Sequence, residues 1–195
     1  VNFVSTSMEH YQQYSHRLYR DFVNIGDDSR FRVVPPGVNT SIFKTESTDL
    51  DTHIEEKLNS ALKGFVEPSR HSLPLIIVSS RLEPKKNHTG LVRAFSTDTA
   101  LNEASNLLIV VRGMENPYDE YEKTDDPERV VLSEIIEIVR RNGVEKKFLF
   151  LNIESQLELA ALYRVAGKLR SIFALTSLYK PFGLAPIEAM ACGLP

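Results

Sequence analysis

Residues 73–80, LPLIIVSS, form an apolar run that stops on two serines. Leu75 to Val78 are apolar without alternation, so a strand there would be covered on both faces, as in a parallel sheet held between helical layers. Three later stretches repeat the pattern: LLIVVRG at 107–113, FLFLNI at 148–153 and SIFALTS at 171–177. The segments between them carry helix signals. Asp126 followed by Pro127 reads as a cap with a first-turn proline, and VVLSEIIEIVRR runs on to a stop at Gly143. Ser155 and Glu158 form a capping box ahead of LELAALYRVAG, which is expected to end at Gly167. The stretch after Asn87 supplies another helix, with Leu91, Val92, Ala94 and Phe95 on its buried face. Strands alternating with helices, joined by right-handed crossovers, make an α/β fold with a doubly wound parallel sheet.

Upstream the pattern changes. NFVSTS (2–7) reads as a strand, MEHYQQYSHRLY (8–19) as a short helix and FRVV (31–34) as a second strand. The Pro-Pro-Gly corner in PPGVNTSIF (35–43) suits a rigid passage between domains. Lys44 to Ser72 is polar, with weak helical patterning from Ile54 to Leu62, and is expected to pack loosely. The acidic NPYDEYEKTDDPE (116–128) is expected to be a solvated loop.

Composition narrows the function. A formal charge of −3 over 195 residues gives no bulk attraction to nucleic acid or to an anionic membrane. No apolar run approaches the ~18 residues of a membrane span. The start, VNFVSTSMEH, lacks the basic and apolar regions of a signal peptide. The single cysteine, Cys192, excludes an internal disulfide and suits a reducing cytoplasm; among Ala and Gly on a helix it reads as a small buried filler. With no initiator Met, and Pro195 directly after a helix, the sequence reads as an internal fragment.

Ligands of open α/β sheets bind beyond the carboxyl ends of the strands. The loop after the first strand of the sheet, SSRLEPKKNHTG (79–90), offers Arg81, Lys85 and Lys86; the loop after the second offers Arg112 and Gly113. Lys180, Pro181, Phe182 and Gly183 precede the last helix. Helix N-termini and converging cations favour phosphate oxygens. Glu188, one turn into that last helix, can accept hydrogen bonds from a ribose diol. Its neighbours Ala185, Ile187, Ala189 and Met190 predict a largely buried helix, so the carboxylate needs a partner. Together these features predict a nucleotide-diphosphate site. Neither a Walker loop nor G-x-G-x-x-G occurs, which argues against P-loop and nicotinamide enzymes. His10, His16, His53, His71 and His88 have no metal-ligand spacing, and His88 reads as a local contact at a helix cap.

SSRLEPKKN, VVPPGVN and KPFGLAPIEAMACGLP together resemble the retaining glycosyltransferases of family 4, which are built from two Rossmann-like domains. Within that family KKNHTGLVRAF, VVRGMENP and SIFALTS are most similar to the bacterial sucrose-phosphate synthase subfamily. The resemblance implies that 1–36 is the tail of the acceptor-side domain and 37–195 a nucleotide-sugar donor domain, incomplete at its C-terminus. It implies a transfer of glucose from UDP-glucose to the sugar-phosphate acceptor fructose 6-phosphate, with no metal or cofactor. Arg81 and Lys86 would grip the donor diphosphate as it leaves, the backbone at Gly183 and Leu184, beside Phe182, would meet the same phosphates, Glu188 would hold the ribose, and Leu151, Asn152 and Ile153 would line the base. The family pattern carries a Glu eight positions before the Glu188 match, where this chain has Lys180. A lysine only donates hydrogen bonds, whereas that carboxylate accepts them from sugar hydroxyls. Sucrose synthases and GDP-mannose-using mannosylfructose-phosphate synthases share much of the pattern, and a catalytically silent nucleotide-sugar-binding protein is the reading from another class.

Overall fold

The computed structural model describes residues 3–5, 31–124, 126–178 and 182–195. The helix expected over 8–19 and the lysine at 180 lie outside the described residues. The chain divides into two compact units, Val1–Val38 with Tyr179–Leu184, and Asn39–Leu178 with Ala185–Pro195. In the first unit β1 (Phe3–Ser5) and β2 (Phe31–Val33) pair in parallel, Phe3 beside Phe31 and Ser5 beside Val33.

The second unit opens with α1 (Asp49–Phe65) and continues with β3 (Leu75–Val78), α2 (His88–Thr97), α3 (Thr99–Ala104) and β4 (Asn106–Val111). Next come α4 (Pro117–Glu120), α5 (Asp126–Arg141), β5 (Phe148–Asn152), α6 (Gln156–Lys168) and β6 (Ile172–Phe173). The last helix, α7 (Leu184–Ala191), starts at the boundary between the units. The sheet is parallel in the order β5-β4-β3-β6. The chain therefore steps outward from β3 through β4 to β5, then returns to the other side of β3. Such a reversal is where α/β sheets open a crevice at their carboxyl ends.

Helices cover both faces, α2 packing on α5 and α1 on α6. Alternate strand positions, Ile76, Val78, Leu107, Ile109, Phe148 and Phe150, join Val92, Phe95, Leu132 and Ile135 in one core. Phe148 and Phe150 meet edge to face at 4.8 Å. β3, β4 and β5 are buried throughout, as runs apolar on both faces require, whereas β6 is two residues long with Ile172 exposed.

Several expectations are corrected. Residues 49–65 do not pack loosely: Ile54, Leu58 and Leu62 form a buried stripe at four-residue spacing, and Asp51 is buried against Arg164 of α6. The acidic stretch is partly ordered, because Asn116 caps α4 by accepting from the Tyr118 N–H at 3.2 Å and the Tyr118 ring packs edge-on to Phe150 at 5.5 Å. Gly143 (φ 64) does end α5, with the Val144 N–H returning to the Val139 carbonyl. The capping box forms in half: Ser155 Oγ accepts from the Glu158 N–H at 3.1 Å, while the Glu158 carboxylate accepts at 2.7 Å from the N–H of Glu154, one residue before the cap. Gly167 does not end α6. The left-handed residue is Arg170 (φ 57), and a Cβ on Gly167 would meet the Gly193 carbonyl oxygen at 3.0 Å, so glycine there serves close packing. Ala94 is exposed. α7 is only partly buried, Ala189 facing inward while Ile187 and Met190 remain exposed.

Candidate functional site

β3, β4 and β5 end side by side; Ser79 follows β3 and Arg112 follows β4, while β5 is followed by the apolar Ile153. The ends enclose a cleft of ≈ 840 Å³, with Ser79, Ser80 and Arg81 from the β3 loop and Arg112 from the end of β4. Ile153 and the start of α6, Glu154 to Gln156, close the β5 side, and Glu128 of α5 also borders the space. The N-terminal turn of α6 adds its partial positive charge to the two guanidiniums.

The β3 loop is held from several directions. A short 3-10 turn, Pro84–Lys86, leads into Asn87 in the left-handed conformation (φ 56). The Lys86 carbonyl accepts from Thr176 Oγ1 at 2.8 Å and the Lys85 carbonyl from the Leu178 N–H at 3.1 Å, which fastens the loop to the segment after β6. Arg81 and Lys85 each lie 2.9 Å from Glu83. The hydrogen bond from Lys85, against a smaller opposing effect of burial and aided by the Arg81 charge, holds the Glu83 carboxyl below its ordinary range. Arg81 is 78% exposed, so its pairing with Glu83 is solvent-screened and leaves the guanidinium available to a ligand.

The sequence-predicted residues separate into those at the cleft and those away from it. Arg81 and Ile153 line it; Lys86 is half-buried and does not. Leu151 is buried within β5. The Asn152 amide is a fastener: its Oδ1 accepts from the Gly113 N–H at 2.9 Å and its Nδ2 donates to Glu115 at 2.5 Å, joining the β4 and β5 loops. Glu188 is half-buried and acts electrostatically on the buried Tyr163. Phe182, Gly183 (φ 95, buried) and Leu184 fall in the other unit, and Lys180 lies outside the described residues. Sequence reading missed Ser79, Ser80, Glu128 and the α6 start as cleft residues. The strand-end rule that selected Arg81 applies equally to the serines before it.

His88 is also corrected. It is no cap contact: it is 1% exposed, its Nε2 lies 3.1 Å from Ser80 Oγ, and Nδ1 has no hydrogen-bond partner. Burial first, then the Lys86 charge, push its pKa down to about 4, against a hydrogen bond with the Ser80 backbone. Cys192 is buried, as expected of a filler, and burial pushes its thiol pKa up. Among the described residues no group of His, Cys, Asp and Glu could hold a metal ion, and no helix is long and apolar enough to cross a membrane.

A doubly wound unit with a crevice beyond its strand ends, bordered by Arg81 and Arg112, defines a Rossmann-like α/β domain. The glycosyl transferases group 1 pattern matches residues 61–195, and the chain belongs to that family. It is 43% identical over 191 residues to a probable sucrose-phosphate synthase of Thermosipho melanesiensis, matching 98% of this chain but 37% of that protein. It is 33% identical over 176 residues to a sucrose synthase of Denitrovibrio acetiphilus, 86% of this chain and 22% of that one. The chain thus spans little more than a third of the first relative and less of the second. Among solved structures, sucrose-phosphate synthase of Thermosynechococcus elongatus superposes with a TM-score of 0.65 at 23% identity, over 98% of this chain and 39% of that one. Anabaena HepE in complex with UDP gives 0.65 at 17% identity, over 100% of this chain and 43% of that one. These two likenesses bear on the fold, which agrees with the resemblance drawn from the motifs.

Proposed function

We propose that this chain is the donor-binding part of a retaining hexosyltransferase that moves glucose from UDP-glucose to fructose 6-phosphate, giving sucrose 6-phosphate. The observation that carries the reading is the cleft itself, ≈ 840 Å³ at the carboxyl ends of β3–β5 with Arg81 and Arg112 at neighbouring strand ends. Its volume falls in the ~300–1,000 Å³ range of small-molecule sites. The identity to a probable sucrose-phosphate synthase supports the choice of sugar donor and acceptor.

The chemistry follows from charge. Breaking the sugar–phosphate bond leaves an oxocarbenium-like centre and adds negative charge to the departing diphosphate. Fixed cations stabilise that charge most when it is fully developed, which lowers the barrier rather than merely tightening binding. Arg81 is the side chain best placed for this, with Arg112 beside it. Lys86, on a loop tied down through its backbone, contributes positive potential from outside the cleft. Ile153 and the α6 corner offer an apolar and hydroxyl-bearing surface for base and ribose. The leaving phosphate oxygen takes the acceptor's proton, so neither a side-chain base nor a metal is needed in this scheme.

A calorimetric titration of the full-length protein with UDP, GDP and ADP tests the donor. UDP is expected to bind tightest; preference for GDP would move the reading to a mannose-donating relative. A second reading, sucrose synthase with free fructose as acceptor, is favoured by the 33% identity to such an enzyme. Offering fructose and fructose 6-phosphate in parallel separates the two.

A further inference from the structure

We propose that Ser80 is a hydrogen-bond donor to the phosphates of the bound nucleotide and that His88 is the residue that positions it. The inference rests on the donor reading above and assigns two residues which that reading does not use.

The geometry begins with the turn between them. The 3-10 turn Pro84–Lys86 and the left-handed Asn87 reverse the chain, so the first residue of α2 points inward rather than to solvent. His88 is thereby buried beneath the β3 loop, with Nε2 3.1 Å from Ser80 Oγ. Ser80 lines the cleft next to Arg81. Ser80 thus meets the imidazole through its hydroxyl and borders the ligand space.

Which way the hydroxyl proton points depends on the tautomer of His88. With its pKa near 4, the ring is neutral at physiological pH and carries one N–H. If that proton sat on Nδ1, a buried N–H would have no acceptor, because Nδ1 has no partner. Nε2 would then take the serine proton, and an acceptor-only oxygen would face the phosphates. With the proton on Nε2, the orphan is only a lone pair, which proteins tolerate better than an unpaired buried N–H. Nε2–H then donates to Ser80 Oγ, and the serine O–H turns into the cleft. The second arrangement satisfies both the buried ring and an anionic ligand. Fixing the rotor before binding also removes an ordering cost at the moment of binding.

The test uses full-length protein and UDP as the probe. Ser80→Ala should weaken UDP affinity about tenfold, the effect of one hydrogen bond to a charged group. His88→Leu should produce a loss of the same order, and His88→Gln, which keeps an N–H at similar reach, should recover most of it. In the Ser80→Ala background His88→Leu should cost nothing further. A loss there as large as in the wild type would make His88 a core residue only and overturn its positioning role. In protein carrying ¹⁵N-labelled histidine, the His88 ring should show the Nε2–H tautomer; the Nδ1–H form would overturn the inference whether or not His88→Leu folds. Wild-type UDP binding that is unchanged by Ser80→Ala overturns this inference alone. A full-length protein that binds no nucleoside diphosphate overturns the donor reading, and this inference with it.

Discussion

Arg164 of α6 clasps Asp51 of α1 across 113 residues of sequence, with Nη2 2.6 Å from Oδ1 and Nε 3.0 Å from both carboxylate oxygens. The two side chains are 4% and 6% exposed, and Thr48 joins them, donating to Asp51 at 3.0 Å and accepting from Arg164 at 3.2 Å. Burial would raise the Asp51 pKa, but the hydrogen bonds from Arg164 and Thr48 and the Arg164 charge together outweigh it and hold the carboxyl below its ordinary value. The pair fixes α1 against α6, and α6 begins at the cleft.

Removing one partner should therefore cost far more than removing both. Arg164→Ala or Asp51→Ala leaves a buried charge uncompensated, a loss of about 3–5 kcal/mol, whereas an apolar pair of similar volume should recover most of it. Native-state hydrogen exchange of the α1 amides in the full-length protein reads this locally. The carboxylate's part is complete above the ordinary Asp range and is lost as pH falls through its depressed pKa. Single variants that lose under 1 kcal/mol would contradict the assigned role.

The two cleft arginines should act as separate anion contacts. Arg81→Ala and Arg112→Ala are each expected to weaken UDP binding about thirtyfold, as loss of a contact worth ~2 kcal/mol would. Their losses should not simply add, because both guanidiniums act on the same diphosphate. Titration of UDP into the single and double variants checks this, and wild-type affinity in either single variant removes that residue from the site.

The buried imidazole sets a pH dependence. The folded pKa of His88 is lowered from 6.5 to about 4, so between those values the unfolded chain binds a proton that the folded chain does not. Stability attributable to this group is complete above pH 6.5 and falls as pH drops towards 4, by roughly 3 kcal/mol in all. In His88→Leu that component should vanish, leaving a flatter stability profile between pH 6.5 and 4. Parallel profiles for the two proteins would show that the ring titrates normally.

The sheet was legible because buried parallel strands are written locally, as unbroken apolar runs such as Leu75–Val78. The helix starts next to Pro127 and Ser155 and the stop at Gly143 were legible for the same reason: caps act over three or four residues. The partners of buried polar groups were not. Asp51 reads as one more charge on a polar helix until Arg164, 113 positions away, is folded against it. His88 reads as a cap until the left-handed Asn87 turns it inward. Gly167 reads as a stop, but its lack of a side chain answers the Gly193 backbone. The strand-end rule located Arg81 but could not distinguish it from Lys86, whose backbone, rather than its ammonium, is tied into the loop.

Lys180, outside the described residues, yields a prediction from the motif alone. By the resemblance of its motif it would take the place of a carboxylate that accepts donor-sugar hydroxyls, and an ammonium can only donate. A hydrogen bond that strengthens in the transition state is worth about 2–4 kcal/mol, or roughly thirtyfold to a thousandfold in rate. Lys180→Glu in the full-length protein should therefore raise the transfer rate at least tenfold without tightening UDP binding. A rate left flat or lowered would make the lysine a working part of the site.

Transfer of glucose from UDP-glucose to fructose 6-phosphate by the full-length protein, with Arg81 stabilising the leaving diphosphate, is read most directly from its products. A product assay offers UDP-glucose and GDP-mannose, each with fructose 6-phosphate and with fructose, to the wild type and to Arg81→Ala. Sucrose 6-phosphate is expected from UDP-glucose and fructose 6-phosphate, formed with retained configuration at the glucose carbon, and at a lower rate in Arg81→Ala. Nucleotide binding with no product from any pair, or a rate that Arg81→Ala leaves unchanged, would contradict this assignment.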